Sequence, residues 1–302
     1  MRRILKWAGI LAAGIVVILV ATAAVVYLIS NSRFSTTYSF IPQSVSAATD
    51  SAAIVRGEHV AVVRGCVGCH GQDLAGAPVI ESPPVAMLYA TNLTSGEGGR
   101  AQLYKGDLDW VRAIRHGIRP DNRPLMFMPS QEYNVLSDSD MSDLLAYLKS
   151  RPPVARELPP TKIGPLGRIL YLAGELPLIP AELIDHEAPR PEPVPPGETV
   201  AYGGYMATGC MGCHGEHFSG GKIPGTPPDF PLVANITPDD ETGIGTWTEE
   251  DFFRALREGV RPDGRKLDPF MPVSETSKLT DSETRALYLY FMSLEPREEG
   301  NR

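Results

Sequence analysis

All four cysteines of the chain lie in two copies of one short motif, Cys-X-X-Cys-His. The first copy is Cys66-Val-Gly-Cys69-His70 and the second is Cys210-Met-Gly-Cys213-His214. Three kinds of chemistry use a Cys-X-X-Cys pair: thiol–disulfide exchange, zinc binding and covalent attachment of haem. The residues around the two motifs decide among these three.

The surroundings favour haem over a dithiol or zinc. A thioredoxin-like dithiol belongs in a βαβ setting, whereas the patterns around these motifs are helical. A structural zinc site needs four ligands, and each motif offers three, far from the other motif in the sequence. Cys-X-X-Cys-His is the recognised signature of covalent haem, in which the histidine ligates iron. We therefore predict two covalently bound haem c groups, attached to Cys66, Cys69, Cys210 and Cys213, with His70 and His214 as iron ligands.

The motifs belong to a longer internal repeat. When the two motifs are aligned, VRAIRHGIRPDNR, which begins at Val111, superimposes on FRALREGVRPDGR, which begins at Phe253. The same alignment superimposes LSDSDMSDLLAYLKS on LTDSETRALYLYFMS. The sequence therefore predicts two duplicated domains, over residues 55–150 and 199–296.

The second axial ligand decides between electron transfer and chemistry at an open iron. Met128 and Met271 occupy equivalent Phe-Met-Pro positions, at nearly the same spacing beyond His70 and His214. We expect these methionines to be ligands, although plain core packing is the ordinary role of such a residue, and Met126 competes in the first domain. Bis-histidine ligation is disfavoured because the remaining histidines have no equivalents in the other repeat. These are His59, His116, His186 and His217.

Five further residues are candidate haem contacts. Arg119 and Arg261, in a shared Gly-Ile/Val-Arg-Pro-Asp stretch, suit haem propionates, and a solvated loop arginine is the equally weighted alternative. Asn92 and Asn235 are candidates to order the loop over the haem edge. Trp247 is a candidate to pack on the ring.

The elements that must position these residues are helical. Ser137 and Thr280 have the N-cap pattern, each followed three residues later by an acidic residue and then by apolar residues at helical spacing. The chain has 29 glycines and 28 prolines, so long loops are expected. We predict an all-α fold of two loop-rich domains whose thin cores are completed by haem.

Residues 1–32 form a separate segment. Arg2, Arg3 and Lys6 precede a run from Trp7 to Ser30 that contains no charged residue. This run is long enough to span a bilayer, and a signal peptide cleaved after Ala21-Thr22-Ala23 is the rival interpretation. We expect a single-pass anchor in a bacterial inner membrane, with a cytoplasmic N-terminus and periplasmic haem domains. The net charge of −8 argues against nucleic acid as a partner.

Residues 151–198 form the predicted linker between the domains. Its ends are rich in proline, which is typical of extended, fairly stiff chain. Its apolar middle, LGRILYLAGELPLIPAELI, is expected to pack against one or both domains. A second contact with the membrane surface is the less favoured alternative.

The stretch ANITPDDETGIGTWTEEDFFRALREGVRPDG, followed by Phe-Met-Pro, resembles the cytochrome c subunits of membrane-bound bacterial dehydrogenases. The resemblance covers both repeats and implies class I-like cytochrome c domains. In that family, which includes subunits of alcohol, gluconate and aldehyde dehydrogenases, such domains pass electrons from a flavin or quinoprotein subunit to quinone or an oxidase. This chain differs from the three-haem subunits of that family in having two haem motifs and an N-terminal anchor. Its first repeat also reads NLTSGEGGRAQLYKGDLDW where the second carries the full loop signature.

The sequence thus predicts an electron-transfer protein and not an enzyme. It would carry single electrons in a respiratory or photosynthetic chain, between partners such as a membrane dehydrogenase, a quinol-oxidising complex or a terminal oxidase. The alternative is a catalytic dihaem enzyme, a peroxidase or a sulfur-compound dehydrogenase, with one open haem iron. The equivalent methionines argue against that alternative.

Overall fold

The helix α1 (Arg2–Phe34) opens the part of the chain that the computed structural model describes, residues 2–302. Its most apolar stretch has a mean hydropathy of 2.8, and none of that stretch is buried against the rest of the chain. At 1.5 Å per residue the helix is about 50 Å long, more than a bilayer core requires. Its length and composition suit a membrane anchor or a signal sequence.

A helical unit with the first Cys-X-X-Cys-His motif follows. Its N-terminal and C-terminal helices cross at Gly57, where a Cβ atom would lie 2.0 Å from the carbonyl oxygen of Asp143. Only glycine allows the two backbones to approach this closely. The helices of this unit are α2 (Ser51–Val63), α3 (Cys66–His70), α4 (Asp107–His116), α5 (Ser130–Tyr133) and α6 (Asp138–Ser150).

A second unit repeats this arrangement. Its first and last helices cross at Gly203, where a Cβ atom would lie 1.9 Å from the carbonyl oxygen of Ala286. The crossing glycines and the oxygens they approach thus hold equivalent places in the two repeats. The helices of this unit are α8 (Val200–Ala207), α9 (Met211–His214), α10 (Glu249–Glu258), α11 (Val273–Thr276) and α12 (Asp281–Met292).

The predicted caps form, with one difference. The hydroxyls of Ser137 and Thr280 accept from the backbone N–H three residues later, at the starts of α6 and α12. The reciprocal bond of a capping box is present for Thr280 and Glu283. In the first unit the Asp140 carboxylate instead accepts a hydrogen bond from Tyr205 of the second unit.

Each unit has its own apolar core. The face predicted for α6 is buried, with exposures of 0 to 5% for Met141, Leu144, Leu145 and Leu148. On α12 the equivalent residues Leu287 and Phe291 are buried, while Tyr290 is half-buried. Trp110 is a core residue of α4, as its helical setting predicts.

The all-α prediction needs one correction, because the first unit contains a small antiparallel sheet. Strands β1 (Ala77–Ser82) and β2 (Ala86–Ala90) form a hairpin, and β3 (Lys162–Ile163) pairs with β2. The hairpin turns at a Pro-Pro pair and not at an Asn-Gly or Asp-Gly signal. The residues of β1 do not alternate regularly between buried and exposed positions, and the third strand of the sheet comes from the linker. No local sequence pattern therefore predicts this sheet.

The apolar middle of the linker packs on the first unit and on α1. It forms α7 (Pro165–Leu172) and a 3-10 turn (Pro180–Leu183). Leu178 and Ile179 are buried beside Ile118. The backbone N–H of Phe127 donates to the carbonyl of Leu178 at 2.8 Å, so the linker is attached to the first Phe-Met-Pro loop.

Candidate functional site

The cysteines of both motifs lie on one helical turn, α3 in the first unit and the turn leading into α9 in the second. Burial raises the pKa of the Cys66 thiol and of the Cys210 thiol to about 12. A dithiol exchange site needs the opposite, a lowered thiol pKa. Within residues 2–302 no group of three or more His, Cys, Asp or Glu side chains is placed to hold a metal ion. The raised thiol pKa values argue against the dithiol interpretation, and the arrangement of side chains gives no support to the zinc interpretation.

The two motif histidines make the same kind of hydrogen bond. Nδ1 of His70 lies 2.7 Å from the carbonyl oxygen of Thr91, and Nδ1 of His214 lies 2.8 Å from that of Ala234. A carbonyl can only accept, so Nδ1 carries the proton and Nε2 keeps a free lone pair. Burial also lowers the pKa of both imidazoles. Each histidine is thus a neutral, oriented imidazole of the kind that ligates a metal.

The methionines differ between the units. Met128 is half-buried and packs against the first core, which also contacts Cys66. Met126, its competitor, packs instead against the linker cluster with Leu178. Met271 is half-buried beside a shallow depression that Gly259 and Leu267 also line. The first Phe-Met-Pro loop is therefore held by its surroundings more firmly than the second.

The two arginines also have different partners. Arg119 forms an exposed ion pair with Asp121, with Nη2 and Oδ2 2.8 Å apart. Arg261 lies with its guanidinium carbon 5.9 Å from the ring centre of Trp247. Its Nε is buried without a hydrogen-bond partner in the chain. An orphaned buried donor is costly unless a ligand satisfies it, and a haem propionate has the chemistry to do so.

The asparagines order loops from within the protein. Asn92 and Asn235 are 1% and 2% exposed. The Asn92 amide donates to the carbonyl of Val154 at 2.8 Å, and the Asn235 amide donates to that of Arg297 at 2.6 Å. Each thereby joins the loop after its histidine to the chain that follows the last helix of its unit.

The other histidines lie in different surroundings. His59 hydrogen-bonds both carboxylate oxygens of Glu283 at 2.9 Å. His116 and His186 face each other, with 3.1 Å between their Nδ1 atoms. Burial lowers the pKa of His116 to about 4, so it is neutral and does not supply the charge that a helix C-terminus would favour. His217 is exposed.

The two motifs meet at the interface between the units through a matched pair of glutamates. A Cβ atom on Gly212 of the second motif would lie 2.5 Å from Oε1 of Glu132. A Cβ atom on Gly68 of the first motif would lie 3.7 Å from Oε1 of Glu275. Each glutamate stands four residues after its Phe-Met-Pro methionine and lies over the motif of the other unit. Burial raises the pKa of Glu132 to about 7.

Arg64, just before the first motif, strengthens this interface. Its Nη1 donates to the hydroxyl of Thr208 at 3.0 Å, and its guanidinium lies 4.5 Å from the ring centre of Tyr205. The hydroxyl of Tyr133 in turn donates to the Arg64 carbonyl at 3.0 Å. Polar contacts therefore join the two units directly beside both motifs.

Sequence reasoning did not single out Glu132, Glu275 or Arg64. The glutamates carried a usable signal, since they occupy the same position in the two repeats. A lone arginine before a motif carries no such signal. Its role depends on contacts with residues of the other repeat, far away in the sequence.

The donor set fits covalent haem. Each unit offers two thiols and an adjacent neutral imidazole on one turn, and the second unit adds an orphaned arginine nitrogen. Comparison with known proteins agrees, because residues 54–152 match the family model described as Cytochrome c. The chain therefore contains a cytochrome c domain.

Several relatives of the chain are named as cytochromes or as cytochrome subunits of dehydrogenases. It is 39% identical over 284 residues to the cytochrome c subunit of the quinone alcohol dehydrogenase of Gluconacetobacter polyoxogenes, covering 82% of this chain and 57% of that protein. It is 34% identical over 142 residues to the fructose dehydrogenase cytochrome subunit of Gluconobacter japonicus, covering 44% and 28% of the two chains. It is also 30% identical over 106 residues to a diheme cytochrome c-type protein of Cereibacter sphaeroides, covering 32% and 36%. The chain thus spans less than two thirds of the length of each of these relatives.

Proposed function

We propose that this chain is a membrane-anchored dihaem c-type cytochrome that carries single electrons between redox partners. The observation that supports it best is the duplicated site, a Cys-X-X-Cys-His turn whose histidine Nδ1 donates to a backbone carbonyl in both units. Similarity to proteins named as cytochrome c subunits supports the electron-carrier role. The same similarity gives no support to a catalytic dihaem enzyme.

Each part of the site has one task in this proposal. Cys66 and Cys69 in the first unit, and Cys210 and Cys213 in the second, attach the haems. Bound haem supplies a reversible one-electron couple at its iron. His70 and His214 present a neutral Nε2 toward the iron, held in orientation by the Nδ1 hydrogen bond.

Met128 and Met271 would be the second protein ligands of the two irons. Thioether ligation closes the iron and raises its potential, which suits electron transfer. The packing of Met128 beside Cys66, and of Met126 against the linker, favours Met128 in the first unit. The shared Phe-Met-Pro setting extends the assignment to Met271.

The surrounding residues have supporting tasks. The orphaned Nε of Arg261 is the strongest candidate for a propionate contact, and Trp247 beside it is a candidate to pack on the ring edge. Arg119 would have to leave Asp121 to make the equivalent contact in the first unit. Asn92 and Asn235 act by holding the loop that carries the carbonyl partner of each histidine.

The domain organisation belongs to the same proposal. Residues 1–32 are the anchor, residues 55–150 and 199–296 are tandem class I-like cytochrome c domains, and residues 151–198 are the linker. The anchor lies in a bacterial inner membrane with its N-terminus in the cytoplasm, and the haem domains are periplasmic. Tethering raises the effective concentration of the haems near membrane enzymes.

The partner class is inferred from the relatives. A membrane dehydrogenase that donates electrons is the first candidate, because the relatives are named as subunits of alcohol and fructose dehydrogenases. A quinol-oxidising complex or a terminal oxidase of a respiratory chain completes the proposed path. Purification of the full chain from its native membrane in mild detergent should retain such a redox partner.

A ligand-binding experiment tests electron transfer against catalysis. If both irons are closed by methionine, the reduced full chain should bind no carbon monoxide and should show two low-spin haems. A native haem that binds carbon monoxide or reacts with peroxide would contradict the proposal. That result would favour the catalytic alternative.

A further inference from the structure

We propose that α7 lies in the outer headgroup region of the bilayer that α1 spans, and that it fixes the orientation of the first haem unit on the membrane. This inference rests on the proposed function, because it requires α1 to be a membrane anchor. In this proposal, the exposed face of α7 contacts lipid.

The first step is the contact between α7 and the end of α1. Nη1 of Arg168 donates to the buried hydroxyl of Ser30 at 2.6 Å. The same guanidinium lies 4.4 Å from the ring centre of Tyr27 and 5.0 Å from that of Phe34. One arginine of α7 thus contacts the last two turns of α1.

A second set of contacts supports the same junction. The rings of Phe34 and Tyr171 lie with centres 5.3 Å apart. The Tyr171 hydroxyl donates to Glu182 at 2.8 Å, and Glu182 pairs with Arg33 at 3.5 Å. The end of α1 and the linker are therefore joined by apolar and charged contacts together.

On its other side α7 is attached to the sheet of the first unit. The backbone N–H of Gly164 donates to the carbonyl of Val85 at 2.9 Å, and that of Leu166 donates to Pro84 at 2.9 Å. A Cβ atom on Gly167 would lie 2.1 Å from the Val85 oxygen, so the helix backbone packs directly on the hairpin. The orientation of α7 is thereby transmitted to the first unit.

The depth of the junction follows from the charges on α1. The uncharged run from Trp7 to Ser30 is about 36 Å long as a helix, close to the thickness of the hydrocarbon core. Arg33 is the first charge after it. Tyr27 and Phe34 flank the level at which hydrocarbon gives way to headgroups, where aromatic side chains are enriched. Because α7 packs against these residues, it lies at the same level.

The face that α7 leaves uncovered suits this position. Leu166 and Ile169 are 44% and 52% exposed, and Ala173, just past the helix end, is also exposed. They recur at i, i+3 and i+7 and so form one apolar stripe. The helix that carries this stripe packs on the end of α1, where the Arg168 guanidinium lies over Tyr27, itself 55% exposed. An exposed apolar stripe on a helix held at the end of a membrane-spanning helix identifies lipid as the partner, as for other interfacial amphipathic helices.

Site-directed spin labelling of the full chain with both haems attached, in lipid nanodiscs, tests the proposal. All four native cysteines are then thioether-bound, so an introduced cysteine is the single free thiol. Labels are placed by Ile169→Cys on α7, by Ile18→Cys inside α1, and by Val200→Cys on α8. Val200 is the matched control because it is an exposed apolar residue of the second unit, 45% exposed. The haems are kept oxidised, and each collision rate is taken as the difference in label relaxation with and without the collider, so that the constant contribution of ferric haem cancels.

Collision rates with oxygen, which concentrates in lipid, and with a water-soluble nickel chelate report the position of each label. At residues 169 and 18, the ratio of oxygen to nickel collisions should exceed the ratio at residue 200 several-fold. A label at 169 that behaves like the one at 200, while the label at 18 reports lipid, would overturn the position of α7 and leave the anchor intact. A water-exposed label at 18 would overturn the anchor and this inference together.

A substitution provides the second measurement. Leu166→Glu should remove the lipid signature of a label at residue 169, since a carboxylate is unfavourable beside hydrocarbon. Val200→Glu, with the same label at 169, should change nothing. Equal effects of the two substitutions, or no effect of Leu166→Glu, would contradict a lipid contact of this stripe.

Discussion

The two helical units are alike where they would hold the proposed haems and different where they meet the rest of the chain. Both have the helix crossing at an equivalent glycine, the Cys-X-X-Cys-His turn and the carbonyl-bound histidine. Among residues 2–302, only the first unit has the linker fastened to its Phe-Met-Pro loop and a sheet beside it. The duplicated features are those that the proposed haems require, and the other features are the surroundings in which the two units differ.

The difference has consequences for the two proposed irons. Met128 is half-buried against a core, whereas Met271 lies beside an open depression with the neighbouring Phe270 ring 50% exposed. Solvent exposure and nearby charge set haem potentials. We therefore expect two distinct potentials and not one, although the ligands are the same.

Replacing each methionine should give the largest effect and should separate the units. Met128→Ala and Met271→Ala should each abolish the sulfur-to-iron charge-transfer band of one haem and allow that haem alone to bind carbon monoxide. Met128→Ala should also lower the free energy of unfolding, by roughly 1 kcal/mol, because it removes a half-buried side chain that packs against the core. Visible spectra and chemical denaturation measure both effects.

Met126→Ala is the matched control for the first unit. It should leave the charge-transfer band unchanged, because Met126 packs against the linker. If Met126→Ala lost the charge-transfer band and Met128→Ala kept it, the ligand of the first haem would be Met126 and not Met128.

The helix crossings should be equally sensitive in the two units. Gly57→Ala and Gly203→Ala place a Cβ atom 2.0 and 1.9 Å from a carbonyl oxygen. Each should cost about 1–3 kcal/mol of unfolding free energy, the usual range for overpacking. Gly106→Ala is the control, since nothing lies within 4 Å of its Cβ position. Tolerance of alanine at one crossing would show that the units are less alike than this account holds.

The interface glutamates should tune the haems unequally. Burial raises the pKa of Glu132 from 4.5 to about 7, so its carboxylate forms as the pH rises through 7 beside the second motif. Negative charge there stabilises the oxidised haem. The potential of the second haem should therefore fall by tens of millivolts across this range, an order of magnitude set by Coulomb attraction at an effective dielectric near 20.

Glu132→Gln should remove that pH dependence, and Glu275→Gln should move the potential of the first haem less. The reason is distance, since Glu275 lies farther from Gly68 than Glu132 lies from Gly212. Spectroelectrochemical titrations at several pH values measure both variants. A pH-independent second potential in the unsubstituted protein would refute the role of Glu132.

The smallest effect is expected at the ion pair between His59 and Glu283. The hydrogen bond to Glu283 raises the pKa of His59 above 6.5. Burial alone would raise the pKa of Glu283, but the hydrogen bond from His59 and others from Thr280 lower it. A raised histidine pKa stabilises the fold fully below 6.5, and the gain is lost as pH rises through the folded-state pKa. His59→Gln should reduce the loss of unfolding free energy between pH 6 and pH 8 by less than about 1 kcal/mol. Chemical denaturation at the two pH values measures this difference.

Much of the site could be predicted because its residues are close in sequence or repeated. The cysteines and histidines of a motif share one turn, and the repeat makes the two methionines candidates, whose ligation stays a prediction. The caps at Ser137 and Thr280 and the buried face of α6 followed from local patterns. These features depend on short-range chemistry that a single sequence displays.

The rest depends on contacts between distant residues. The β2–β3 pairing joins the first unit to the linker, and the bond from Tyr205 to Asp140 replaces an expected local capping bond. The position of α7 against α1 depends on Arg168 reaching Ser30, 138 residues earlier in the chain. No periodicity in the sequence specifies such partners.

The central claim is that each repeat holds its own haem. Intact mass spectrometry of the full chain purified from membranes, followed by cleavage within residues 151–198, tests it most directly. The full chain should carry the added mass of two haems, and each fragment should carry the added mass of one. A chain with a single haem, or a fragment with both thiols of its motif free, would contradict it.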